Sequence, residues 1–542
     1  MPFSARNRAQ YIQQLQSESF DLLVVGGGIT GAGIALDAIT RGLKVCLIEK
    51  YDFASGTSSR STKLIHGGLR YLKQLEFGIV REVGQERAIL YRNAPHIVIP
   101  ERMLLPIVDG GSLGRYSTSL GLYVYDRLAG VEKQERRNML SKEATLEKEP
   151  LLNPDILKGG GMYVEYRSDD ARLTIEVLKS AVERGALCLN YIEFLSFTHD
   201  KQNKVNGAVA KDIFTGEEIK ISAKKIINAC GPWVDDLRKT DNSLKKKRLH
   251  LTKGIHIVIR KERLPIKQSV YFDVIADGRM IFAIPRGNKV YIGTTDTNYK
   301  HDTNFPFATK KDVEYTLKAA NMMFPTAELK IEDVESTWAG LRPLIHEDGK
   351  SPSDLSRKDE IFISDSGLIS IAGGKLTGFR KMAERSVNVV CKQLKLEDQR
   401  EFSPCSTENI QLSGGNLKKL PTEYAKELQE DFQQFHLDEV LDLVLKFGSN
   451  TEYILSSAQT HFSNNLLLAE AEYCLENEMT NNLADFIIRR TGRLYFDRPT
   501  IKANINQLDD FFNHQLEYST EIISKNHLIF DKEYHDVVAF RN

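Results

Sequence analysis

The stretch KLIHGGLRYL, residues 63 to 72, sets Lys63, His66 and Arg70 around the pair Gly67-Gly68 in an otherwise apolar run. Cationic side chains beside backbone without Cβ suit a negatively charged ligand held close to the chain. A second stretch with chemical content precedes it, FDLLVVGGGITGAGIALDAITRGLKVCLIEK. Gly26, Gly28 and Gly31 match G-x-G-x-x-G: the first permits a tight turn, the second lets a pyrophosphate approach the backbone, and the third lets helix pack on strand. Glu49, at the end of the next apolar run, can accept both hydroxyls of an adenosine ribose. An acid there disfavours a 2′-phosphate and so NADP, leaving FAD or NAD.

These residues need a strand, a helix and a second strand to position them. Leu22 to Val25 and Val45 to Ile48 read as buried parallel strands, with a helix from Ile29 to Thr40 whose amino terminus supplies partial positive charge to a pyrophosphate. After Glu49, a doubly wound fold would normally continue into helix. Instead Ser55, Thr57, Ser58, Ser59, Ser61 and Thr62 crowd into eight positions. Following a ribose-binding strand, this loop is expected to fold back over the cofactor, offering donors to phosphates and a flavin ring, which favours FAD over NAD.

Composition narrows the class. At 542 residues the chain is long enough for roughly two to four domains. Lys+Arg and Asp+Glu both number 73, so no global basic surplus points to nucleic acid, and any strong charge effect is local. Cys46, Cys188, Cys230, Cys391, Cys405 and Cys474 are dispersed, without zinc spacing, and read as reduced thiols of a cytosolic protein, with no metal site. No apolar run reaches the ~18 residues that span a bilayer. The start, MPFSARNRAQYIQQLQSESF, lacks a signal-peptide core and reads as a short helix with YIQQL on its apolar side.

The stretch from Phe20 to Leu72 resembles the FAD-dependent, aerobic, quinone-linked glycerol-3-phosphate dehydrogenase family. Further motifs agree in the same order: YVEYRSDDARL at 163–173, NACGPWVDDL at 228–237, KGIHIVI at 253–259, IGTTDT at 292–297, WAGLRPL at 338–344 and GGKLTGFRKMAE at 373–384. The resemblance spans almost the whole chain. It implies an α/β protein with a glutathione-reductase-like FAD-binding Rossmann fold, a D-amino-acid-oxidase-like antiparallel substrate sheet (α+β) and a helical C-terminal domain. The FAD unit is expected at 1–80, 150–240 and 355–398, the substrate unit at 81–149 and 241–354, and the helical domain at 405–542.

It also implies site roles. Glycerol 3-phosphate is a dianion, and Arg70, Tyr71, Arg342, Arg357 and Lys375 are expected to hold it, arginine binding phosphate through a planar fork. Hydride leaves an alcohol carbon readily only if the oxygen becomes alkoxide-like, which calls for a base and a cationic stabiliser. His256 is the candidate base with His66 its rival, and Arg342 the group that polarises the C2 oxygen. For the cofactor the expected residues are Gly26, Gly28, Gly31, Glu49, Thr57, Ser58, Ser59, Lys63, Gly67, Gly68, Gly231, Gly374, Lys375, Leu376 and Thr377. A helix starting near Thr377 would stabilise charge on a reduced flavin. The role of Arg380 stays open.

YFDVIADGRMIFAIPRGNKVYIGTTDT alternates around ADG and RGN turns and reads as antiparallel hairpins. Past Cys405, PTEYAKELQEDFQQF, DEVLDLVLKFG and LLLAEAEYCLENEM carry helical spacing. Arg489, Arg490 and Arg493 could serve a partner, a membrane surface or salt bridges. The 110–130 segment could lie in a membrane interface or in the core. The resemblance implies catabolism of glycerol and its phosphate, with electrons passed to a membrane quinone, or to oxygen in the oxidase branch, which commonly carries an insertion this chain lacks. It places the protein in the cytoplasm, peripheral on the inner face of the membrane; a homodimer is a further expectation. An amino-acid or amine oxidase and a non-catalytic flavin module are the remaining alternatives.

Overall fold

A computed structural model describes residues 3–66, 77–111, 114, 137–346 and 359–541. Gly67, Gly68, Arg70, Tyr71 and Arg357 lie outside the described residues, as does most of the 110–130 segment.

The first sheet begins as the glycine motif requires. Ser19–Val25 and Val45–Ile48 are parallel neighbours joined through the helix Ile29–Thr40. From one edge the order is Glu360–Ile363, Ile369–Ala372, Glu218–Asn228, Ser19–Val25, Val45–Ile48 and Leu187–Leu189. Along this order all pairs are parallel except that of the edge strand Glu360–Ile363, and Val205–Asp212 and Ile192–His199 add an antiparallel branch onto Glu218–Asn228. Because both faces of such a sheet are covered, LLVV at its centre is apolar without alternation. The helix Ile29–Thr40 packs between Asp170–Val182 and Phe379–Asp398. Gly33 allows the second contact, since a Cβ there would come within 2.8 Å of the Phe379 ring.

The second sheet runs Thr297–Asn298, Arg248–Arg260, Lys289–Gly293, Arg279–Arg286, Ser269–Val274, Ile99–Val108, Leu157–Arg167 and Leu64–Ile65, with Val334–His346 along Arg248–Arg260 and Asn138–Leu140 on Leu157–Arg167. The hairpins expected around ADG and RGN are the antiparallel strands Ser269–Val274, Arg279–Arg286 and Lys289–Gly293. Two strands from ranges grouped above with the FAD unit lie in this sheet: Leu157–Arg167 pairs antiparallel with Ile99–Val108, and Leu64–Ile65 pairs antiparallel with Leu157–Arg167. The segment here, LKGGGMYVEYR, carries no local mark of which strands it will pair with.

Beyond 405 the helices Pro421–Asp431, Leu437–Phe447 and Leu466–Asn477 cover the three patterned stretches, followed by Arg498–Gln515 and Thr520–Asp536. The arginines that left a partner or a membrane open are interior salt bridges. Arg489 Nε lies 2.5 Å and Arg490 Nη1 2.7 Å from Asp52 Oδ2, and Arg493 pairs with Glu470. Arg380 likewise has a structural partner, with Nε 2.9 Å from Glu86 Oε2. At the other terminus, the helix Arg8–Ser17 buries Tyr11 and Leu15, and Arg8 reaches Asp212 Oδ1 at 2.7 Å. No helix among the described residues is long and apolar enough to cross a membrane.

Candidate active site and cofactor cleft

An open cleft of about 300 Å³ follows the carboxyl ends of the first sheet's central strands, where a doubly wound fold binds dinucleotides. Gly26 and Gly28 line its middle, Glu49 and Tyr51 one part, and Gly374, Lys375 and Leu376 another. Gly26 adopts φ +113°, and a Cβ on it would fall 2.7 Å from the Ala229 carbonyl oxygen. Gly31 does not line the cleft. A Cβ there would lie 1.9 Å from the Gly26 carbonyl oxygen, so it lets the helix close on the turn.

The hydroxyl-rich loop folds back as expected, and its residues divide the work. Ser58 Oγ accepts from the Ile29 N–H at 2.9 Å, at the start of the glycine-motif helix, and a Cβ on Gly28 would come within 3.1 Å of it. Thr57 donates to the Leu341 carbonyl at 2.7 Å, tying the cleft to the second sheet. Both line the cleft, as does Gly231. Ser59 is buried and Lys63 is turned away: its ammonium lies 2.5 Å from Asp170 Oδ1 and 5.7 Å from the Trp338 ring centre. Glu49 accepts from the N–H groups of Gly27 (2.7 Å) and Tyr51 (3.0 Å). Burial pushes its carboxyl above the usual range, and those two N–H donors oppose the shift.

His256 and Arg342 come together through sheet register. On the paired strands Arg248–Arg260 and Val334–His346, His256 stands opposite Trp338, Gly254 opposite Gly340 and Thr252 opposite Arg342. With side chains alternating every residue, these six share one face. Gly254 makes room there: a Cβ would lie 2.4 Å from Arg342 Nη2. The guanidinium donates to the Thr295 carbonyl (3.1 Å), Asp296 Oδ1 (2.9 Å) and Thr294 Oγ1 (3.0 Å), and its side chain is 27% exposed. Pro343, the next residue, lines the cleft, so Arg342 borders it.

His256 is buried, stacked on Trp338 at 4.7 Å between ring centres. Burial, then the charges of Arg342, Lys63 and His66, hold its pKa well below the usual value, so the imidazole is neutral. His66 meets the edge of Phe282, and its carbonyl accepts from Thr377 Oγ1 at 3.3 Å. That contact brings the buried Thr377, in the turn Leu376–Gly378, to the end of the 57–66 loop; the helix Phe379–Asp398 follows.

Several neighbours of the site escaped the sequence reading. Trp338 lay inside WAGLRPL and Trp233 inside GPWVDD, yet neither motif says what an indole would pack on. Trp233 limits Gly56, where a Cβ would fall 2.9 Å from its ring. Asn304 reaches the cleft from the second sheet's connections, with no local signal.

Residues 21–379 match the family described as FAD dependent oxidoreductase, and 405–522 match the C-terminal domain of alpha-glycerophosphate oxidase. An aerobic glycerol-3-phosphate dehydrogenase of Staphylococcus epidermidis is 51% identical over 528 residues, covering 96% of this chain and 95% of the relative. The chain belongs to the FAD-dependent glycerol-3-phosphate dehydrogenase family. Its Bacillus subtilis member is 50% identical over 99% of this chain and 98% of its own length. A solved member, the glycerol-3-phosphate dehydrogenase from Bacillus halodurans complexed with FAD, superposes with TM-score 0.84 at 45% identity, covering 99% and 98% of the two chains. An L-alpha-glycerophosphate oxidase from Mycoplasma pneumoniae shares the fold at 20% identity and TM-score 0.57, over 72% of this chain and 97% of its own.

The cleft fits the family's cofactor on its own geometry. The bare backbone at Gly26 and Gly28, the Glu49 carboxylate and the turn at 374–376 follow one another along a single opening, as an extended FAD requires.

Proposed function

We propose that the protein oxidises sn-glycerol 3-phosphate to dihydroxyacetone phosphate, with hydride passing from C2 to N5 of FAD and electrons leaving to a membrane quinone. The observation that carries this reading is a permanently charged, partly exposed Arg342 on the same sheet face as a neutral, buried His256, at the border of the FAD cleft. The names of the relatives, aerobic glycerol-3-phosphate dehydrogenases at about half identity over nearly full length, support the substrate.

Bound FAD supplies the two-electron acceptor. Each protein group then has a task that its environment suits. Glu49 anchors the ribose, and Gly28 admits the pyrophosphate beside the helix amino terminus. Arg342 stabilises negative charge as it develops on the C2 oxygen. His256, kept neutral by burial and nearby cations, accepts the hydroxyl proton, for which an imidazolium would be useless. Lys375 and Arg342, with Arg70, Tyr71 and Arg357 beyond the described residues, hold the phosphate and hydroxyl end. We place the enzyme at the inner face of the cytoplasmic membrane, where quinone is available.

One observation speaks for the oxidase branch, the match of 405–522 to an oxidase's C-terminal domain. An anaerobic titration with sn-glycerol 3-phosphate, followed by flavin absorbance, tests substrate and acceptor together. The expected result is bleaching that a soluble quinone reverses much faster than oxygen does. Rapid return in oxygen with peroxide would move the protein to the oxidase branch, and flavin that stays yellow would remove glycerol 3-phosphate as substrate.

A further inference from the structure

The IGTTDT stretch sets three consecutive residues against Arg342. Nη1 donates to the Thr295 carbonyl at 3.1 Å and to Asp296 Oδ1 at 2.9 Å, and Nη2 donates to Thr294 Oγ1 at 3.0 Å. Both protons of Nη1 are thereby engaged, and one end of the planar fork is fixed by segment 294–296. Of the three acceptors only Asp296 carries charge, and a charge-assisted bond is roughly twice as strong as a neutral one.

The segment itself has little freedom. On both of its sides the chain pairs with the same strand, Gly293 opposite His256 and Thr297 opposite Lys253. Three residues, 294 to 296, therefore face two, Gly254 and Ile255, which is the count of a β-bulge, a device that re-aims side chains beside a regular ladder. Thr295 is buried, and its Oγ1 accepts from the Ile255 N–H at 3.1 Å, pinning the middle of the bulge. Gly254 leaves the space alongside: a Cβ there would lie 2.4 Å from both Arg342 Nη2 and Thr294 Oγ1.

We propose that Asp296 is a positioning residue for Arg342, fixing the orientation in which its guanidinium meets the charge that develops on the C2 oxygen of the substrate. This rests on the function proposed above. A long, flexible arginine side chain aims its charge only where something rigid holds it, and the bulge supplies a fixed carboxylate. Two other roles for Asp296 lead to different outcomes. Were it a support of the fold, its loss would lower the melting temperature and the flavin content. The side chains of the pair are 27% and 31% exposed, however, and pairs this wet add little to stability. Were it a screen for the charge of Arg342, its loss would tighten binding of a dianionic substrate and leave the rate undiminished. Positioning has the opposite signature: the rate falls while binding is nearly kept.

The test uses flavin-loaded enzyme as wild type, Asp296→Ala, Asp296→Asn, Arg342→Ala and the double variant Asp296→Ala with Arg342→Ala. Crystal structures are expected to show the Arg342 guanidinium displaced by about 1 Å or more in Asp296→Ala. In Asp296→Asn it should stay in place, because the side-chain carbonyl still accepts from Nη1. In anaerobic bleaching by sn-glycerol 3-phosphate, the limiting rate of Asp296→Ala is expected to fall about 10- to 100-fold, with the half-saturating concentration changed by less than about threefold. Flavin content and melting temperature should stay near wild type, and Asp296→Asn should recover most of the rate. Adding Asp296→Ala to Arg342→Ala should slow bleaching no further, because a positioning residue acts through the group it holds. A guanidinium that stays in place in Asp296→Ala, tighter substrate binding at an undiminished rate, or a full additional loss in the double variant would overturn the proposal. Wild-type enzyme that does not bleach would instead count against the substrate, and the crystal structures would still decide what orients Arg342.

Discussion

Arg342 and Arg490 are the same residue in two opposite situations. Arg490 is fully buried, forks onto Asp52 at 2.7 and 2.9 Å and donates again to the Glu478 carbonyl. Arg342 is 27% exposed at the edge of a cleft, facing a carboxylate, Asp296, that is 31% exposed and two neutral oxygens. Around Arg490 the pairing continues inward: Arg172 joins Glu478 and Glu176, and Lys179 joins both carboxylates. A charge taken wholly out of water must be matched by fixed partners, and that matching commits it to holding the fold. A charge left at a wet border keeps field available for a ligand. Burial and partner geometry, more than residue type, separate architecture from chemistry here.

The comparison breaks first at its buried side. Arg490→Met should leave Asp52 with Arg489 as its only cationic partner, beside the Asn190 amide, and cost about 3–5 kcal/mol of stability, read from denaturant unfolding. A stability close to wild type would mean that the network is replaceable. The loop from Asp52 to Ser58 reaches the cofactor cleft, so the same variant should also shed flavin on gel filtration.

A smaller effect is expected at the cleft itself. Glu49→Ala removes the carboxylate that organises the Gly27 and Tyr51 N–H groups and should weaken FAD retention about tenfold, measured by flavin fluorescence on dilution. Unchanged retention would remove the ribose role.

The smallest effect is one of pH. Burial, then the Asp52 charge, pushes Asp485 from 3.8 up to about 6. The folded state therefore binds more protons than the unfolded chain between those values, and this carboxyl's contribution to stability falls as pH rises through 6. Asp485→Asn should raise the melting temperature at pH 8, and the gain should shrink below pH 6; a gain independent of pH would contradict the assignment. Glu478 works in the other direction. Burial alone would raise it, but Arg172 and Lys179 hold it at about 2, against 4.5 unpaired. Its stabilisation is present above pH 4.5 and is lost as pH falls through 2.

How much of this was legible in the sequence depends on distance along the chain. The FAD unit's start was, because Gly26, Gly28, Gly31 and Glu49 lie within one strand-helix-strand unit, and the ends Ile29, Thr40, Val45 and Ile48 fall where the apolar pattern puts them. His256 and Arg342 were identifiable as candidates through resemblance, but the register that sets Trp338 against His256 and Arg342 beside Gly254 depends on two strands far apart in sequence. Asp52 and Arg490 are separated by 438 positions. A short acidic-aromatic YDF and a basic RR carry no local sign that they meet in the interior, so a partner or membrane surface stayed open until burial was known. The crossing of Leu157–Arg167 into the second sheet was hidden for the same reason, since nothing local in the strand declares its pairing with Ile99–Val108.

The central claim is that Arg342 serves the reaction while Arg490 serves the fold. It is tested most directly by following anaerobic flavin bleaching with sn-glycerol 3-phosphate in Arg342→Ala, alongside flavin content and melting temperature. The account predicts normal flavin content, a nearly unchanged melting temperature and bleaching slowed at least about 100-fold. Bleaching at the wild-type rate, or loss of flavin and fold together as expected for Arg490→Met, would contradict it.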